Sequence, residues 1–76
     1  MTDAPQPPDH DIPADERLIR LPEVMHRVGL GRTAVYQRIR RGEFPRPIRV
    51  DGMALWRESE VRAWIAERVR QAQGAA

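Results

Sequence analysis

Two glycines one residue apart, Gly29 and Gly31, separate a helical pattern ending at Val28 from another beginning at Arg32, and this break sets most of what the chain can fold into. A turn that short joins helices that cross rather than run antiparallel. Val24, Val28, Leu30, Val35 and Ile39 recur at helical spacing and supply the apolar contact at the crossing. Gly29 is able to take a positive φ and so ends the first helix, predicted over about residues 22–28. The second helix follows from about Arg32 to Arg41 and is closed by Gly42. Two short helices on a tight turn form a helix-turn-helix, whose second helix presents its outer face.

The flanking segments complete the unit. Leu18 to Leu21 is a short extended stretch that packs against the core, and Pro22 sits where a helix tolerates it, in the first turn, with Glu23 beside the positive helix end. Residues 43–47 are extended because Pro45 and Pro47 each bias the preceding residue away from helix, and Phe44 anchors that loop to the core. Residues 48–57 predict a β-hairpin with Asp51-Gly52 at its turn. That register pairs Val50 with Met53 and Ile48 with Leu55 on one side, leaving Arg49 and Ala54 on the other. A third helix follows from Glu58 to about Gln73, with a Glu58 to Arg62 pair at i,i+4 and an apolar face of Val61, Trp64, Ile65 and Val69. Residues 74–76 are expected to fray. The fold class is mainly α with a small β-hairpin, a winged helix-turn-helix over residues 17–73.

Seventy-six residues hold one small domain, and with no cysteine neither a disulfide framework nor a thiolate metal site supports it. Apolar runs are too short for a membrane span, and the first residues lack a basic-then-apolar signal pattern, so a soluble cytoplasmic, nucleoid-associated protein is expected. The net charge of +2 hides a division: residues 1–16 carry −5 and residues 17–76 carry +7. A compact domain of that charge attracts polyanions, nucleic acid above all. All thirteen basic residues are arginine, which suits bidentate contact to phosphate and guanine and is also what a GC-rich genome encodes. The acidic, proline-rich residues 1–16 read as a disordered tail, with His10 a solvated histidine rather than a metal ligand.

At about 100° per residue, Val35 and Ile39 lie about 40° apart and define the buried direction of the second helix. Gln37 points directly opposite, flanked by Thr33 and Arg41, with Arg40 slightly further round. These four are the candidates for base reading or phosphate clamping. Arg32 and Tyr36 border the core, where Arg32 meets a phosphate and Tyr36 packs its ring while its hydroxyl reaches the backbone. Arg49 is the wing residue best placed for a phosphate, and Arg38 lies on the opposite flank. Structural roles compete with each assignment: Tyr36 as a half-core ring, Thr33 as a helix-start residue, and Arg40 and Arg41 as partners of the helix dipole. His26 is a surface residue. No nucleophile with an activating histidine, Gly-rich phosphate loop or metal cluster is present, so neither catalysis nor a cofactor is expected. The partner implied is double-stranded DNA, bound by a homodimer or a cooperative assembly. The alternative of another class is a protein-interaction adaptor.

The run from Arg17 to Val24, then Gly29 to Tyr36, then Gly42-Glu43-Phe44-Pro45-Arg46-Pro47-Ile48, then Trp56 to Val61 with Trp64-Ile65, resembles the AlpA family of phage-related regulators. These are small winged-helix proteins of the MerR/excisionase-like superfamily. The resemblance implies DNA binding at promoters or attachment regions of prophages and integrative elements, by a transcriptional regulator or an excisionase-like recombination directionality factor. It also implies a recognition helix matching Arg32, Thr33, Tyr36, Gln37 and Arg40, with the hairpin along the backbone or minor groove. The chain departs from the family pattern in having Gly31 where serine is usual as helix cap. It also has apolar Met53-Ala54 where the wing commonly carries a basic residue.

Overall fold

The computed structural model describes residues 12–74. Most of the expected disordered leader, including His10, lies outside the described residues, as do Ala75 and Ala76. Six elements follow in order: β1 (Leu18–Ile19), α1 (Leu21–Val28), α2 (Arg32–Arg40), β2 (Ile48–Val50), β3 (Met53–Arg57) and α3 (Glu58–Gly74). Together they make three helices and a three-stranded antiparallel sheet, consistent with a winged helix-turn-helix.

The helix boundaries follow from local chemistry. Gly29 takes φ 72° and its N–H donates to the Met25 carbonyl, ending α1 where an L side chain would be strained. α2 starts at Gly31 with no side-chain cap. It stops at a glycine of φ 73°, Gly42, where the N–H groups of Gly42 and Glu43 bond the carbonyls of Ile39 and Arg38 at 3.0 and 2.8 Å. Asp51 and Gly52 both take positive φ, 52° and 81°, the conformation of a tight two-residue hairpin turn.

The hairpin register is Ile48 with Leu55, Arg49 with Ala54 and Val50 with Met53, as the sequence predicts. Two features differ from expectation. The extended stretch before α1 is a third strand: β1 pairs with β3, Leu18 opposite Arg57 and Ile19 opposite Trp56, so the sheet runs β1-β3-β2. Moreover, the aliphatic side of the hairpin is only partly buried: Leu55 is buried and Val50 half-buried, but Ile48 and Met53 are not. Trp56 is fully buried and Ala54 packs on the core, whereas Leu18, Ile48 and Met53 are exposed. The indole is the largest apolar body on β3, and burying it removes more surface from water than burying Ile48 or Met53 would.

Ile19, Leu21, Val24, Val35, Phe44, Trp56 and Val61 form one core cluster, against which Met25, Val28, Leu30, Ile39, Trp64 and Ile65 pack. Val69, expected on the buried face of α3, is 49% exposed. The helix runs 17 residues and outreaches a core this small.

Glu16, placed by composition in the leader, is docked on the domain. Its Oε1 accepts the Ser59 N–H at 3.3 Å, and its Oε2 accepts the Ser59 hydroxyl at 2.9 Å and the Arg57 guanidinium at 2.8 Å. It thereby caps the first turn of α3 from a distant part of the chain. Next to it, the nearly buried Glu58 pairs with Arg17, Arg27 and Arg62 at 3.0, 2.8 and 3.3 Å, tying the start of β1 and the end of α1 to α3. Burial alone would raise the Glu16 carboxyl, but the bonds from Arg57 and Ser59 and the Arg57 charge outweigh it and hold the group below its ordinary value. A folded value lower than the unfolded one means that the stabilisation is complete above the unfolded value. It is lost as pH falls through the folded one. Glu16→Gln is therefore expected to melt below the parent at neutral pH and to converge with it on acidification. Circular-dichroism melts across pH check this, and a gap that persists in acid would show that the carboxylate charge does not hold the cap.

Candidate nucleic-acid interface

α2 contains no acidic residue. Val35 is fully buried and Ile39 half-buried beneath it, which turns the opposite side outward. Arg32, Thr33, Gln37, Arg40 and Arg41 are all exposed. Tyr36 is half-buried and meets Trp56 edge to face at 6.3 Å between centroids, so its ring belongs to the core boundary. Arg41 is the residue that closes α2 and lies 3.8 Å from Glu43. Arg38 is half-buried and reaches back to the Ala34 carbonyl, and His26 stands exposed on α1.

Arg49 is exposed on β2, and its guanidinium donates to the Gly52 carbonyl at 3.3 Å, curling over the hairpin turn. The spacing between helix and wing is set by the loop joining them. The indole N–H of Trp64 donates to the Glu43 carbonyl at 2.8 Å and that of Trp56 to the Pro45 carbonyl at 2.9 Å. Phe44 is buried between these anchors, with its ring 5.0 Å from that of Trp64. A proline-flanked loop has few backbone partners of its own, and two tryptophans on different elements hold it in register.

The arginines are sorted in space. Arg17, Arg27, Arg57, Arg62 and Arg70 are each within 4 Å of a glutamate, on β1, α1 and α3 and their junctions. Among the described residues, Arg20, Arg32, Arg38, Arg40, Arg46 and Arg49 pair with no carboxylate, and they lie on α2, the loop after it, the hairpin and the segment leading into α1. Elsewhere Arg68 lies over the Trp64 ring at 4.9 Å. Carboxylates thus neutralise one side of the domain and leave the α2 and wing side positive, which gives the local field that a polyanion meets.

Arg20 is absent from the candidates read in the sequence. It belongs with them because it lines the same cleft as Arg32 and Tyr36 of α2 and Met53 and Ala54 of the wing. The alternation Leu18-Ile19-Arg20 hinted at it: once Ile19 is buried, Arg20 points to the other face. Which element that face adjoins depends on the pairing of β1 with β3. Of the described residues, no helix is long and apolar enough to cross a membrane, and no group of three histidine or acidic side chains gathers as a metal site.

The sequence model of the family described as prophage CP4-57 regulatory protein (AlpA) matches residues 17–69. A protein of Enterobacteria phage P4, described as uncharacterized protein ORF88, is 45% identical over 69 residues, covering 87% of this chain and 78% of that protein. No solved structure matches.

Proposed function

This chain belongs to the AlpA family of prophage regulatory proteins, and from that premise we propose that it is a sequence-specific regulator that binds duplex DNA through α2. The helix lies in the major groove. Gln37 and Thr33 meet base edges, Arg32, Arg40 and Arg41 grip the phosphates that border the groove, and Arg49 carries the wing to the neighbouring backbone. Tyr36 steadies the helix through its ring and turns its polar end toward the same side. The observation that carries this reading is the sorting of the arginines: glutamates neutralise Arg17, Arg27, Arg57, Arg62 and Arg70 around α3, whereas Arg32, Arg38 and Arg40 of α2 and Arg49 of the hairpin pair with no carboxylate among the described residues, and Arg41 has only the exposed Glu43 at 3.8 Å.

One short helix reads few base pairs, so binding to repeated half-sites, as a pair or a cooperative array, is part of the proposal. The target lies in promoter or attachment regions of the prophage, where such a regulator controls transcription.

The test is the salt dependence of duplex affinity, measured by fluorescence anisotropy on a selected site and on random DNA. The logarithm of affinity is expected to fall with log salt by about 0.9 per phosphate neutralised. Gln37→Ala is expected to relax base preference at one position, worth about 1–3 kcal/mol, while Arg41→Ala weakens all sequences alike and flattens the slope by the equivalent of about one phosphate. Equal losses on selected and random DNA for both variants would remove Gln37 from the reading face. A flat salt response would reject DNA as the ligand.

A further inference from the structure

A cleft of about 260 Å³ separates the start of α2 from the wing. The segment leading into α1 contributes Arg20 and Pro22, α2 contributes Arg32 and Tyr36, and β3 contributes Met53 and Ala54. Two arginines from separate elements therefore line one hollow, and no acidic residue lines it with them. The only polar contact Arg20 makes through its side chain among the described residues is with the Met53 sulfur, Nη2 to Sδ at 2.9 Å. A thioether is a weak, uncharged acceptor that holds the guanidinium over the wing without neutralising it. The nearest acid in sequence, Glu23, is engaged by Arg27 and Arg17. Two uncompensated cations beside one hollow repel each other, and an anion between them turns that cost into attraction.

We propose that this cleft is a phosphate clamp, in which Arg20 and Arg32 together hold a single phosphodiester of the DNA strand bordering the groove that α2 occupies. The inference rests on the DNA-binding reading above and adds a site to it. The planar fork of each arginine matches the non-bridging oxygens of a phosphate. Pro22, Met53 and Ala54 offer an apolar wall to the adjoining deoxyribose. Because the two arginines come from the α1 and α2 starts and Met53 comes from the wing, one phosphate in this cleft fixes the position of helix and wing on the duplex together. The clamp thus supplies register, while base choice stays with the outer face of α2.

The clamp predicts a particular pattern of backbone sensitivity. A duplex selected from a random pool is prepared with one neutral methylphosphonate at each backbone position in turn, and the affinities of the full-length protein, Arg20→Gln, Arg32→Gln and Arg20→Lys are compared. The parent is expected to lose about tenfold at one position bordering the α2 groove, in line with a charge-assisted bond. Both glutamine variants become markedly less sensitive at that same position, and Arg20→Lys, which keeps the charge, retains most of it. Arg20 is exposed, so its variants are expected to melt with the parent. An Arg20→Gln profile identical to that of the parent overturns the clamp, as does a map that assigns the two arginines to different phosphates. A parent protein whose duplex affinity is indifferent to salt overturns the DNA reading itself, and the clamp with it.

Discussion

Replacing Trp56 with alanine is expected to unfold most of the domain. The indole is wholly buried at the centre of the core cluster, bonds the Pro45 carbonyl at 2.9 Å and supports the ring of Tyr36. Removing so large a buried aromatic costs about 3–5 kcal/mol. A domain of this size has a total stability of only about 3–9 kcal/mol, taking roughly 0.05–0.15 kcal/mol per residue. Trp56→Phe keeps the apolar body but orphans the Pro45 carbonyl, so it is expected to remain folded with a lower melting temperature. Circular-dichroism melts separate these outcomes. A cooperative transition for the alanine variant within a few degrees of the parent would mean that Trp56 is not the keystone of this core.

The second large effect is on binding alone. Changing Arg32, Arg40 and Arg41 together to glutamine is expected to lower duplex affinity on the order of a thousandfold, at about 1.5 kcal/mol for each charge-assisted bond to phosphate that is removed. The salt slope should become shallower by about 2.7 if each grips its own phosphate. The proposed clamp has Arg32 share one phosphate with Arg20, and a value nearer about 1.8 would be the signature of that sharing. All three side chains are exposed, so the melting temperature should hardly move. Anisotropy titrations alongside melts give both readings, and a triple variant that binds as the parent does would detach α2 from the interface.

Much of this architecture is legible without coordinates, and for identifiable reasons. The positive φ at Gly29, the glycine stop at Gly42 and the Asp51-Gly52 turn are backbone requirements that few residue types meet, so each marks a boundary wherever it stands. The exposed face of α2 follows from the spacing of Val35 and Ile39 alone. Glu16 reads as part of the leader because an acid among prolines carries no sign of the Ser59 N–H that it caps. Val69 reads as core because periodicity tells which side of α3 is apolar but not where the core beneath it ends.

Composition and pattern determined the elements, their order, the hairpin register and the polar face of the second helix, because these depend on neighbours within a few residues. The Glu58 to Arg62 pair is local and legible in the helix spacing, but only tertiary structure decided that Glu58 also meets Arg17 and Arg27 and that Glu16 meets Arg57. That choice drew the line between the neutralised flank and the positive one, because ion pairs form between elements tens of residues apart. The same holds for the clamp: Arg20 reaches the wing only because β1 lies beside β3, and strand pairing is chosen by what the whole core can bury, Trp56 first.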